Sequence, residues 1–131
     1  MSYALTATTD LSFPDALSAV REALAAQGFG VLTEIDLAAT LKAKLDVDIA
    51  PQVILGACNP VLANEALATE PQIGLLLPCN VVVRSVEDGR TVVEAVDPDV
   101  LVQLSGNDAL QRVAADAGTR LRAALEAVPT S

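Results

Sequence analysis

The stretch Asn80-Val81-Val82-Val83-Arg84-Ser85-Val86, then Glu87-Asp88-Gly89-Arg90, then Thr91-Val92-Val93-Glu94-Ala95-Val96 reads as two strands joined by a tight turn. β-Branched residues dominate both arms, and Asp-Gly between them is a strong hairpin signal. Antiparallel pairing therefore enters a chain whose earlier part alternates strands with helices.

Upstream, Tyr3 to Thr8 alternates weakly and predicts a first strand. Ser12-Phe13-Pro14-Asp15 opens a helix, because serine caps, proline is tolerated in the first turn and Asp15 can return a capping-box contact. Phe13, Leu17, Val20 and Leu24 then recur at helical spacing, and Gly28 and Gly30 end that helix, expected over 12–27. Gly30 to Ile35 predicts a second strand, and Asp36 caps a short helix through Leu37, Leu41 and Leu45. Ile49 to Ala57 is expected to be extended, and Asn59 with Pro60 opens a helix over 60–69. Ile73 to Leu77 reads as a buried strand stopped by Pro78. Beyond Asp97-Pro98-Asp99 lies a connector with Val100, Leu101 and Leu104. Leu110, Val113, Ala114, Ala117, Leu121 and Leu125 stripe a last helix over about 107–127. The order βαβαβαβββα predicts an α+β fold of two layers, a mixed and mainly antiparallel sheet with helices packed on it. Residues 1–131 are expected to form one domain, since no linker or repeat interrupts them.

Composition excludes several function classes. Seventeen acidic residues against eight basic ones give a net charge of -9, and aromatics are only 2%. Phosphate backbones and base-stacking platforms need the opposite, so no nucleic-acid partner is expected. Hydrophobic residues reach 52%, but no run approaches the ~20 residues of a membrane span. No signal peptide is expected, since Met1-Ser2-Tyr3-Ala4-Leu5-Thr6 lacks a basic segment followed by a long apolar stretch. A cytoplasmic protein is expected. Histidine is absent, which removes Ser-His-Asp and Cys-His chemistry and His-ligated zinc.

Two Cys-Asn dipeptides stand out, in Val53-Ile54-Leu55-Gly56-Ala57-Cys58-Asn59-Pro60 and in Gly74-Leu75-Leu76-Leu77-Pro78-Cys79-Asn80-Val81. Both end an apolar run. Cys58 stands just before a helix N-terminus, where amides and the helix dipole favour a thiolate or a bound anion. The plainer reading is a small buried hydrophobe. Cys79 and Asn80 follow a proline that must bend or end a strand. Two cysteines with 20 residues between them make no CxxC motif, so a metal is not expected and no cofactor is indicated. A disulfide requires their Cα atoms to lie about 4.4–6.8 Å apart.

Glu34 and Asp36 share a strand face and resemble a carboxylate pair, although Asp36 serves equally as a helix cap. Lys42 and Lys44 are the only lysines. They point different ways on a helix and make no cluster.

Gly28-Phe29-Gly30-Val31-Leu32-Thr33-Glu34-Ile35-Asp36, Lys42-Ala43-Lys44-Leu45, Ile54-Leu55-Gly56-Ala57-Cys58-Asn59-Pro60 and Leu76-Leu77-Pro78-Cys79-Asn80-Val81 together resemble the family called "domain of unknown function 302". The likeness spans about residues 28–98 and closes on Ala95-Val96-Asp97-Pro98. It implies a small α+β domain and a homodimer, and it carries no reaction. The resulting expectation is a non-catalytic, dimeric protein that binds or senses a small or anionic ligand. Cys58, Asn59, Cys79 and Asn80 form its site, with Glu34, Asp36 and Lys44 as outer candidates. The alternatives are a thiol-dependent redox protein or enzyme, with Cys58 as nucleophile and Cys79 as resolving thiol, and a structural module whose dimer interface uses these segments.

Overall fold

Asp88 and Gly89 both adopt positive φ, 68° and 72°. The reversal they produce joins β4 (Cys79–Ser85) to β5 (Thr91–Val96), and the Val86 amide donates to the Arg90 carbonyl at 2.9 Å. Aspartate and glycine are the residues that tolerate this backbone region most cheaply, which is why the Asp-Gly signal was informative. The computed structural model describes residues 2–131.

Around this hairpin the sheet runs in the order β1-β5-β4-β3-β2, and every neighbouring pair is antiparallel. β1 is Ala4–Thr9, β2 is Gly30–Asp36 and β3 is Gln52–Cys58. The helix α1 (Phe13–Ala26) carries the chain from one sheet edge to the other. Ser12 Oγ accepts from the Asp15 amide at 3.3 Å to start it, and Gly28 at φ 84° follows its end. α2 (Leu37–Leu45) follows β2 directly, α3 (Pro60–Thr69) follows β3, and α4 (Asp99–Ser105) and α5 (Gln111–Ala127) complete the chain. The molecule is an α+β fold.

Three details differ from expectation. Ile73–Leu77 is not a strand: Pro71–Leu76 is 3-10 helical, so five strands form where six were expected. Pro71 has no ladder donor and seats in a first turn, and Glu70 Oε2 accepts from the Gln72 amide at 3.3 Å. Only Ile73 of the run is buried, while Leu75 is 85% exposed. Second, the connector at Val100 and Leu101 folds as α4, closed by Gly106 at φ 68°. Third, the last helix is entered by a separate 3-10 turn, Asp108–Leu110, capped by Asn107.

Strand alternation divides the sheet into two faces. Val53, Leu55, Ala57, Cys79, Val81, Val83, Val93 and Ala95 face inward and pack with Ala16, Val20 and Leu24 of α1 and Leu121 and Leu125 of α5. A second buried cluster joins Leu62 and Ala66 of α3 to Ile73, Leu101 of α4, and Val113 and Ala117 of α5. Ile54, Val82, Arg84, Val92 and Glu94 alternate with the inward set and remain half-buried. They form the outer face. Full burial of each Leu or Val on the inner face contributes about 1.5–3 kcal/mol, so the helical layer belongs to one side of the sheet. Two buried hydroxyls close its end: Thr9 donates to the Pro129 carbonyl at 2.6 Å and Thr91 to the Leu11 carbonyl at 3.0 Å.

A site at the β3–α3 corner

β3 ends at Cys58 because Asn59 turns the chain into a helix. Asn59 Oδ1 accepts from the Leu62 amide at 3.2 Å, its carbonyl accepts from Ala63 at 2.9 Å, and Pro60 takes the first helical position. The Asn59 side chain also lies close to the segment before β2. A Cβ on Gly28 would lie 3.0 Å from Asn59 Nδ2, so the positive-φ glycine is what lets the two segments approach.

Antiparallel pairing does the rest. Gly56 pairs with Asn80 and Ala57 with Cys79, which brings the two Cys-Asn dipeptides side by side across β3 and β4. Gly56 is obligatory here, since a Cβ would collide with Thr33 Oγ1 and stand 2.8 Å from Pro78 Cγ. Both cysteines are free thiols, Cys58 half-buried and Cys79 buried. They line one cavity of about 30 Å³, walled also by Phe29, Asn59, Leu62 and Leu77. A second hollow of about 140 Å³ lies on the other side of Cys79 and carries Asn80, Asp97 and Leu101. Burial, and then the proximity of Cys58, push the Cys79 thiol up to about 11. Cys79 is therefore a protonated, apolar wall between two spaces.

The helix N-terminus offers an anion little. Pro60 has no N–H, and Leu62 and Ala63 already donate to Asn59; at most the Val61 amide remains. Asn80 is exposed on the outer face opposite Gly56.

The three outer candidates lie elsewhere. Glu34 is paired with Arg21 of α1, and Asp36 Oδ1 accepts from the Ala39 amide at 2.9 Å as the cap of α2. With Lys44 they border a wide, open hollow of about 690 Å³ between β2 and α2. Cys58 pairs with Gly30 and Val53 with Asp36, so the two places are about 17 Å apart along β3. Their geometry gives no acid–base pair: each carboxylate already has its own partner.

Two contributors escaped the sequence reading. Phe29, set between two glycines, turns inward as a wall of the cavity and is 4% exposed. Val113 and Ala117 belong to the apolar stripe of α5, but periodicity could not tell which cavity they face. Cys79 and Val81 are 8% and 1% exposed; an interface built on these side chains is excluded, because the chain's own helices already cover them. Among the described residues no group of three or more His, Cys, Asp and Glu side chains stands together to hold a metal ion. No helix among them is long and apolar enough to cross a membrane.

The crystal structure of an uncharacterized conserved DUF302 protein from Bacillus stearothermophilus is similar to this fold, with a TM-score of 0.90 and 32% identity over 98% of this chain and 99% of that one. No curated protein matches the chain. The sequence pattern described as "Domain of unknown function DUF302" matches residues 5–128, and the chain belongs to that family.

Proposed function

We propose that this chain is a non-catalytic, dimeric protein of the cytoplasm that binds or senses a small ligand as one domain, at the corner where β3 turns into α3. One observation carries the reading: two thiols from separate strands line a single apolar cavity beside a helix-capping asparagine. A cavity of about 30 Å³ has room for a guest of one or two water-sized groups, since one water needs about 10–15 Å³. Drug-sized ligands need several hundred. The guest is therefore very small unless Leu77 and Pro78 move aside to join the 140 Å³ hollow beyond Cys79.

Chemistry narrows the class further. The walls are apolar and sulfur-bearing, the helix amides are mostly taken, and the chain carries -9. A neutral, apolar or sulfur-seeking ligand fits this better than an anion. A resolving-thiol role for Cys79 is disfavoured, because a thiol at about 11 is ionised to only about 10⁻⁴ at pH 7. The free thiols accord with a reducing compartment.

The test is a thermal-shift series with small neutral and sulfur-bearing molecules on the wild type and on Ala63→Leu, which fills the cavity from α3. Stabilisation present in the wild type and lost in the variant supports the site. Equal stabilisation in both places the ligand elsewhere.

A further inference from the structure

From Gly30 to Gln52 the chain passes through β2, α2 and the loop before β3 without a single buried residue. The segment is not polar. It holds Leu32, Ile35, Leu45, Val47 and Ile49, between 38% and 67% exposed, five of the ten exposed large hydrophobics among the described residues. Leu37, Leu41 and Leu45 recur every fourth position and stand in a row along α2, yet α2 joins neither buried cluster. α2 packs mainly on β2 and β3 at one edge of the sheet. An apolar row left half-covered at a sheet edge, in a segment with five exposed large hydrophobics, marks a contact surface. The surface continues onto the outer sheet face, where Ile35 pairs with Ile54 and Ile54 with Val82.

We infer that this arm, with the adjoining outer face of β3 and β4, is the surface on which a second copy of the chain docks; the inference rests on the dimeric part of the function proposed above. Charge selects the occupant. Two chains of net charge -9 repel each other, so they can meet only through a surface that carries both signs. This one does. Both lysines of the chain lie here, and Lys42 bridges Asp46 at 2.9 Å and Asp48 at 3.2 Å. On the sheet face Arg84 holds Glu94 at 2.7 Å. Lys44 makes no salt bridge among the described residues, and the exposed Asp46 and Asp48 follow it in the chain. In a two-fold contact a surface must complement itself, and neighbouring opposite charges meet that condition. A strongly charged foreign partner or an anionic membrane would select a surface of one sign.

Light scattering coupled to gel filtration on the full chain tests this. The wild type is expected at twice the 13.5 kDa chain mass. Leu45→Asp, at a residue 67% exposed, is expected to raise the dissociation constant roughly thirty- to hundredfold and yield folded monomer by circular dichroism. Should Leu45→Asp fail to fold, Val47→Asp in the loop carries the same question. Leu75→Asp, in the exposed patch beyond α3, serves as the control and should remain dimeric. A dimer that persists in Leu45→Asp or Val47→Asp, or dissociates in Leu75→Asp, overturns the assignment of the surface while leaving the dimeric reading intact. A wild type that stays monomeric at every concentration overturns both.

Discussion

The β3–α3 corner and the β2–α2 arm are built from similar apolar residues, yet the fold treats them oppositely. At the corner, Leu55, Ala57 and Val81 are at most 1% exposed, and even the thiol of Cys79 is absorbed into the core. On the arm, leucines and isoleucines of the same size join neither buried cluster. Hydrophobicity alone does not place a side chain. What decides is whether the topology brings a second layer over it, and α1 and α5 cover only the inner face of the sheet.

The sharpest way to break this comparison is a matched pair of truncations. Leu55→Ala removes a side chain that is 0% exposed and leaves a cavity, at an expected cost of about 3–4 kcal/mol in urea unfolding. Leu45→Ala deletes the same atoms from a residue 67% exposed, and in the monomer it should cost under about 0.5 kcal/mol. If the arm docks a second copy, the Leu45→Ala cost grows with protein concentration while the Leu55→Ala cost does not. Equal costs at low concentration would dissolve the distinction between the two regions.

Next in size is the response to alkali, which at the corner is set by a buried thiol. The Cys79 thiol is raised from 9.0 to about 11 in the fold, chiefly by burial. The folded state therefore prefers the neutral thiol more strongly than the unfolded chain does. Its contribution is complete below pH 9 and disappears as pH rises through about 11. Across that window about 2–3 kcal/mol is at stake. Urea denaturation at pH 8 and pH 10.5 should show the wild type losing more stability than Cys79→Ala. Parallel losses would mean that the thiol is better solvated than its burial implies.

These contrasts also show what was legible in the sequence. Local grammar transferred well: Ser12, Asp36 and Asn59 cap the helices they were read to cap, and Asp88-Gly89 makes its turn. Each is decided by a few neighbouring residues. The run Ile73–Leu77 did not transfer, because an apolar pentapeptide fits a strand or a 3-10 helix equally, and Pro71 tipped the choice. At the site, the Cys-Asn pairs could be noticed but not joined. Their adjacency depends on the Gly56–Asn80 register, which is a property of two strands together. Glu34 and Asp36 share a face as expected, but Arg21 comes from another element and claims Glu34. The bare arm was invisible, since its leucine spacing is that of any helix packed against its own core.

The smallest expected effect separates the regions by mechanism. Asn59→Ala and Asp36→Ala each delete one N-cap bond, at 3.2 Å and 2.9 Å, and a lost cap costs about 0.5–2 kcal/mol. α3 is anchored by Leu62 and Ala66, so it cannot fray without opening that cluster, and the loss should appear in global stability at about 1 kcal/mol. α2 has no buried residue. It can open while the rest of the fold stays closed, with a free energy well below the global one. Asp36→Ala should therefore leave urea unfolding nearly unchanged, within about 0.3 kcal/mol, and speed amide exchange across Leu37–Leu45 roughly fivefold. A second copy seated on the arm would suppress that acceleration at high protein concentration. Exchange that is equally fast at every concentration would leave α2 uncovered, and exchange that tracks the global unfolding of the chain would tie it to the core after all.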